Sequence, residues 1–292
     1  LVAHATGFDA LANFFHSGEV GAARYSYDAS ATTNLQGLWW RAPAESQSGW
    51  GVNVVHQGDL VFATWFTYDA QRRPLWMVMS EGFRVGPNEY AGVMYEVTGP
   101  PFDSAAWDTA RVQTRPVGTG VFSFVDAGNG TFRFIETAGR TVTHPITRQL
   151  FASPVPTCGF GGSPSATNFT DLWWRAPAGS ERGWGLNVVH QGEVIFATWF
   201  TYGADGSPLW LVASEMKPDA GGAFTGELFR ASGPGFAVVP WDPATVTRTR
   251  VGSATLAFSG ANAGTFTYTM DAIAGSKPIT RQLFASPQTV CR

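Results

Sequence analysis

The chain has 292 residues, 14% of them charged and 14% aromatic, with 34 glycines and a formal net charge of −3. That composition excludes a disordered polyelectrolyte, which is rich in charge and poor in aromatics, and it lacks the Lys/Arg excess that a nucleic-acid partner demands. No apolar run reaches the ~18 residues of a transmembrane helix, so the expectation is a Gly- and aromatic-rich all-β protein.

In chain order, residues 1–33 come first and stand outside any repeat. Thr6-Gly-Phe-Asp9 has capping-box form, and Phe8, Leu11, Ala12 and Phe15 follow helical spacing, which predicts a short helix that Gly18 ends. Such an extension either packs on the protein itself or serves as an arm towards a neighbouring molecule.

From residue 34 onward the chain is an internal duplication. Leu38-Trp-Trp-Arg-Ala-Pro-Ala44 recurs unchanged at Leu172 to Ala178, and Gly49 to Tyr68 recurs at Gly183 to Tyr202, both at an offset of 134. A single deletion changes the offset to 133, at which Ile146 to Pro154 (ITRQLFASP) recurs as Ile279 to Pro287. All 12 tryptophans fall into six twin pairs. A period this long is beyond solenoid repeats or propeller blades, which run about 20–50 residues. Each copy is therefore expected to be a domain, at 34–157 and 168–292, joined by a Gly/Ser/Pro-rich linker at 158–167.

Within the first copy, short apolar runs bounded by Gly, Pro, Asn and Asp predict eight strands, at 36–42, 50–57, 60–68, 75–81, 90–97, 112–125, 130–137 and 141–151. Eight consecutive short strands suit an antiparallel up-and-down meander closed into a barrel, with a sandwich as the alternative. Closure also removes exposed strand edges.

The turns predict a register. Gly58-Asp59, repeated as Gly192-Glu193, suits a two-residue hairpin, because Gly supplies the positive φ needed first in a type II′ turn. It places His56 opposite Val61, Val52 opposite Trp65 and Trp50 opposite Thr67. Asp205-Gly206 is a second hairpin signal, which places Thr201 opposite Trp210 and Trp199 opposite Val212. One face then carries Trp50, His56, Trp65, Thr67, Trp76 and Ser80, and the other Asn53, Phe62, Phe66, Tyr68, Leu75, Met77 and Met79. Neither face is polar, so both should be covered.

The first face is the candidate ligand site: Trp50, His56, Trp65, Thr67, Trp76 and Ser80, with their twins Trp184, His190, Trp199, Thr201, Trp210 and Ser214. Indole offers a broad flat surface and one donor, which suits sugar rings and heteroaromatic ligands. The plainer reading is a Trp-rich core, with His56 and His190 satisfying backbone groups near their turns. Met77 and Met79 are replaced by Leu211 and Ala213 in the second copy, which marks them as core filling rather than soft-metal ligands. No nucleophile elbow, metalloprotease helix, phosphate loop or Cys-x-x-Cys is present, so neither cofactor nor metal is expected. Among acidic twins, Glu81/Glu215 is the only plausible catalytic acid.

Cys158 and Cys291 occupy equivalent places after each ITRQLFASP block. They are candidates for a bridge between the two copies, the alternatives being an intermolecular bridge or free thiols.

The motif Gly-Trp-Gly-[Val/Leu]-Asn-Val-Val-His-Gln-Gly, followed by Phe-Ala-Thr-Trp-Phe-Thr-Tyr and Pro-Leu-Trp, covers both copies across 34–287. It resembles a tandem repeat of exported proteobacterial proteins. The resemblance implies modularity and a periplasmic, surface or extracellular location, and it lends no catalytic residue. By strand count alone the meander is similar to avidin- and lipocalin-type barrels. The expectation is an exported, non-enzymatic binding or assembly protein that works with a protein partner or as a homo-oligomer. The alternatives are a protein binding a glycan or small apolar ligand through its Trp face, and an enzyme with an unrecognised site.

Overall fold

The computed structural model describes residues 33–292; the helix expected in the N-terminal extension lies outside them. The first copy forms β1 (Gly37–Arg41), β2 (Gly51–Gln57), β3 (Leu60–Tyr68), β4 (Pro74–Gly86), β5 (Glu89–Thr98), β6 (Gln113–Phe124), β7 (Asn129–Glu136) and β8 (Thr141–Arg148). Neighbours pair antiparallel, and β1 closes on β8 to complete a barrel. After β9 (Cys158–Phe160), the second copy repeats the barrel as β10 (Asp171–Arg175), β11 (Gly185–Gln191), β12 (Val194–Tyr202), β13 (Pro208–Pro218), β14 (Phe224–Ser232), β15 (Thr247–Gly260), β16 (Ala263–Met270) and β17 (Ile273–Arg281). The last strand, β18 (Thr289–Cys291), pairs with β9, and Cys158 is disulfide-bonded to Cys291. A strand thus occupies the start of the segment that reads as a linker.

The two-residue turn sets the β2–β3 register as its sequence predicts. His56 pairs with Val61 and Val52 with Trp65, and Gly58 sits at φ 57°. At the next turn the expected register is wrong by one residue. Tyr202 pairs with Pro208 and Phe200 with Trp210, just as Tyr68 pairs with Pro74 and Phe66 with Trp76. The connection spans five residues because its aspartate folds it: Asp69 Oδ1 accepts the amides of Gln71 and Arg73, and Asp205 Oδ1 accepts the amide and hydroxyl of Ser207. A slip of one residue sends every side chain of a strand to the opposite face. Leu75, Met77 and Met79 therefore join Trp50, Val52, Val54, Val61, Ala63 and Trp65 inside the first barrel. Trp76 and Val78 turn outward with Phe62, Phe66 and Tyr68.

Both faces of β2 and β3 are buried along their whole length. The inner face packs around Trp39, Trp65, Phe122 and Phe132. The outer face meets the sister barrel, where Phe66, Tyr68 and Trp76 share a cluster with Phe200, Tyr202 and Trp210.

Candidate functional site

The two barrels face each other about a pseudo-twofold axis, and their contacts come in reciprocal pairs. Trp76 Nε1 donates to the Thr201 carbonyl at 2.9 Å, and Trp210 Nε1 donates to the Thr67 carbonyl at 2.9 Å. Gln57 donates to the Gln282 carbonyl and accepts the amides of Phe284 and Ala285, while Gln191 does the same with Gln149, Phe151 and Ala152. Each barrel also lends a ring to the other. Phe102, in the β5–β6 connection, sits 5.8 Å from Trp199 and 6.1 Å from Tyr268 in the second core. Phe236, its twin, sits 5.3 Å from Trp65 and 5.9 Å from Phe134 in the first.

The reciprocity is incomplete: Trp107 Nε1 donates to the Arg182 carbonyl while its twin Trp241 Nε1 has no partner among the described residues, and one such break opens space between the barrels. Between the barrels lies a cleft of about 420 Å³. From the first copy it is walled by Trp40, Trp50, Phe66 and Tyr68, and from the second by Phe196, Thr198, Trp210, Val212 and Ser214, with Ala231 and Arg248 on adjoining strands. Twins of these residues stand at the symmetry-related position and are closed off. Phe62 and Val78 are fully buried where Phe196 and Val212 are half-buried, and Trp174 is 2% exposed where Trp40 is half-buried. Four substitutions accompany the difference: Ala231 stands for Val97, Arg248 for Thr114, Pro243 for Thr109 and Ser48 for Arg182.

Local structure holds the aromatic walls in place. Gly49, at φ 118°, lies so close to Val246 that a Cβ there would come within 2.8 Å of its side chain. The Gly49 carbonyl accepts the Tyr68 hydroxyl at 2.6 Å, and burial raises the pKa of that phenol well above its usual value. Trp50 Nε1 donates to Gln47 Oε1, and its ring lies 4.5 Å from that of His144. Burial, with help from Arg41, lowers the His144 pKa to about 4 and keeps the imidazole neutral at physiological pH. Among the described residues the indole N–H of Trp40 has no partner, and the lining holds one cation, Arg248, and no carboxylate.

Of the twelve residues singled out from the sequence, Trp50, Trp210 and Ser214 line this cleft. Trp65 and Trp199 are buried at the centres of the barrels, with Trp184 in the second core beside Trp199. Thr67 and Thr201 are buried, and their carbonyls serve the interface. Trp76 lies in the interface rather than beside Trp65, and Ser80 is buried. His56 is fully buried: its ring nitrogens meet the Leu35 amide and the Tyr90 hydroxyl, and burial lowers its pKa to about 3. In the second copy Phe224 replaces Tyr90. His190 stacks on Phe169 there and borders a smaller cleft of about 300 Å³. Among the described residues no group of three His, Cys, Asp or Glu is placed to hold a metal, and no helix is long and apolar enough to cross a membrane.

Sequence reasoning missed Trp40, Tyr68 and Arg248. The signal was available in the differences between the copies, which fall at four positions lining the cleft: Ala231 for Val97, Arg248 for Thr114, Pro243 for Thr109 and Ser48 for Arg182. Comparison with protein-family models, with curated proteins and with solved structures finds no match.

Proposed function

We propose that this chain is an exported, non-catalytic binding protein whose recognition site is the cleft between the barrels, and that its ligand presents a flat apolar ring to Trp40, Trp50 and Trp210. The observation that carries this reading is the broken symmetry. A duplicated structure buries one of two equivalent positions and leaves the other open, walled by aromatic rings with a few polar groups among them. That is the usual make-up of a small-ligand site. The buried ionisable groups serve structure rather than chemistry: His56 meets backbone and tyrosine, and Asp171 is ion-paired with Arg281 at 3.0 Å. The disulfide favours an oxidising compartment.

Tryptophan fluorescence tests the reading. Titration with a panel of mono- and oligosaccharides and small aromatic compounds should quench emission saturably for at least one class. Ser214→Trp, which fills the cleft from a half-buried position, should abolish that response while leaving the melting temperature within a few degrees of wild type. Saturable binding that survives Ser214→Trp would place the site elsewhere.

A further inference from the structure

Resting on the cleft reading above, we infer that the ligand is an anion: a ring joined to a carboxylate or equivalent group, with the ring against Trp210 and the charge at Arg248. Arg248 pairs across the sheet with Ala231, and both line the cleft that Trp210 walls. Its guanidinium lies 4.5 Å from the Phe229 ring centroid, which steadies the side chain without neutralising it. Nearby arginines on the same sheet are already matched: Arg250 pairs with Glu227 at 2.7 Å and Arg230 with Asp271 at 2.5 Å. Among the described residues no carboxylate pairs with Arg248, and the cleft lining contains none.

The internal duplication supplies the control. At the closed, symmetry-related position Thr114 stands for Arg248 and Val97 for Ala231. Arg182 stands for Ser48 there, so the closed position carries an arginine of its own, but only at the open position does an arginine meet cleft space. A guanidinium offers a planar fork that meets a carboxylate through two parallel hydrogen bonds. Beside aromatic walls, the fitting ligand is an aromatic carboxylate or an acidic sugar, which share the ring and the negative charge.

Two matched pairs of probes separate charge from ring, and one source from the other: 3-phenylpropionate with 3-phenylpropionamide, and methyl glucuronide with methyl glucoside. Each is titrated against the full-length chain by tryptophan fluorescence up to about 10 mM, a range that captures millimolar affinities. At least one acid should bind about tenfold more tightly than its neutral partner. That preference should disappear in Arg248→Thr, which installs the residue of the other copy at an exposed position. It should also shrink as salt screens the rim. Equal binding of acid and neutral partner overturns the anion inference and leaves the cleft reading intact. A preference that persists in Arg248→Thr overturns the role of Arg248. Failure of all four probes to bind overturns the cleft reading for ring ligands, and this inference with it.

Discussion

Phe66 packs against Phe200, its own counterpart in the other repeat, with ring centroids 6.4 Å apart. A residue that touches its own twin marks the axis of an isologous interface, in which every other contact must occur twice. Around this pair it does: Phe66 meets Trp210 at 5.8 Å and Trp76 meets Phe200 at 5.2 Å. Tyr68 stacks on Trp241 and Tyr202 lies tilted against Trp107, at 6.1 and 6.0 Å. The chain is built as a dimer within one polypeptide, and the candidate site exists only because the two halves meet.

The exchanged phenylalanines predict a crossed effect of mutation. Phe102→Ala should destabilise the second barrel and Phe236→Ala the first, by about 3 kcal/mol for the more deeply buried Phe102. Hydrogen exchange would show it as faster amide exchange in β11–β16 for Phe102→Ala. Loosening confined to the first barrel would contradict the exchange of rings.

Trp65 and Trp76 should both be structural, for different reasons. Trp65→Ala empties the centre of a core and should cost about 3–5 kcal/mol. Trp76→Phe keeps a ring in the interface but removes the donor to Thr201, a loss of about 1 kcal/mol, and Trp210→Phe should match it. Denaturant unfolding checks both. A neutral Trp76→Phe would mean the indole bond contributes nothing.

The eight strands of each copy and their closure were legible in the sequence because period-two apolar runs and Gly-led turns are local signals. The face of β4 was not legible. Asp205-Gly206 resembles a two-residue hairpin, and only the bonds inside the loop, from Ser207 to Asp205 and from the Gly203 amide to the Ser207 carbonyl, reveal the longer connection. That single slip placed Trp76 and Trp210 beside Trp65 and Trp199 instead of at the interface. The repeat also implied two self-sufficient cores, whereas Phe102 and Phe236 complete each other's. Exchange between copies leaves no trace in a sequence, since a ring serves equally well inside its own barrel or its neighbour's.

Acid should weaken the fold through His56. Burial lowers its pKa from 6.5 to about 3, so the folded state binds this proton less readily than the unfolded chain. The stability contributed by the neutral ring is complete above about pH 6.5 and is lost as pH falls towards about 3. Asp171 has the opposite sign. Burial raises its pKa to about 6 in spite of Arg281, so its contribution is complete below about pH 4 and is lost as pH rises through about 6. The His56 ring resonances should not titrate between about pH 7.5 and about 4.5. A midpoint near the ordinary histidine value would contradict its burial.

The bridge between Cys158 and Cys291 closes a separation of 133 residues and ties the two ends of the paired repeats together. Unreduced protein should be lighter by two hydrogen masses than the reduced form and should resist alkylation. Reduction should lower stability by about 5 kcal/mol in the loop-entropy model. Ready alkylation of both thiols without reductant would exclude the bridge.

The pairing of the repeats is tested most directly by sedimentation of the second repeat alone, residues 165–292. This fragment carries Phe200, Tyr202, Trp210, Phe236 and Trp241, whose twins form the opposing face, so a second copy can supply what the first repeat supplies in the intact chain. The account predicts a symmetric dimer at micromolar concentration, with a melting temperature that rises with concentration. A monomer that unfolds cooperatively at a concentration-independent temperature would contradict it.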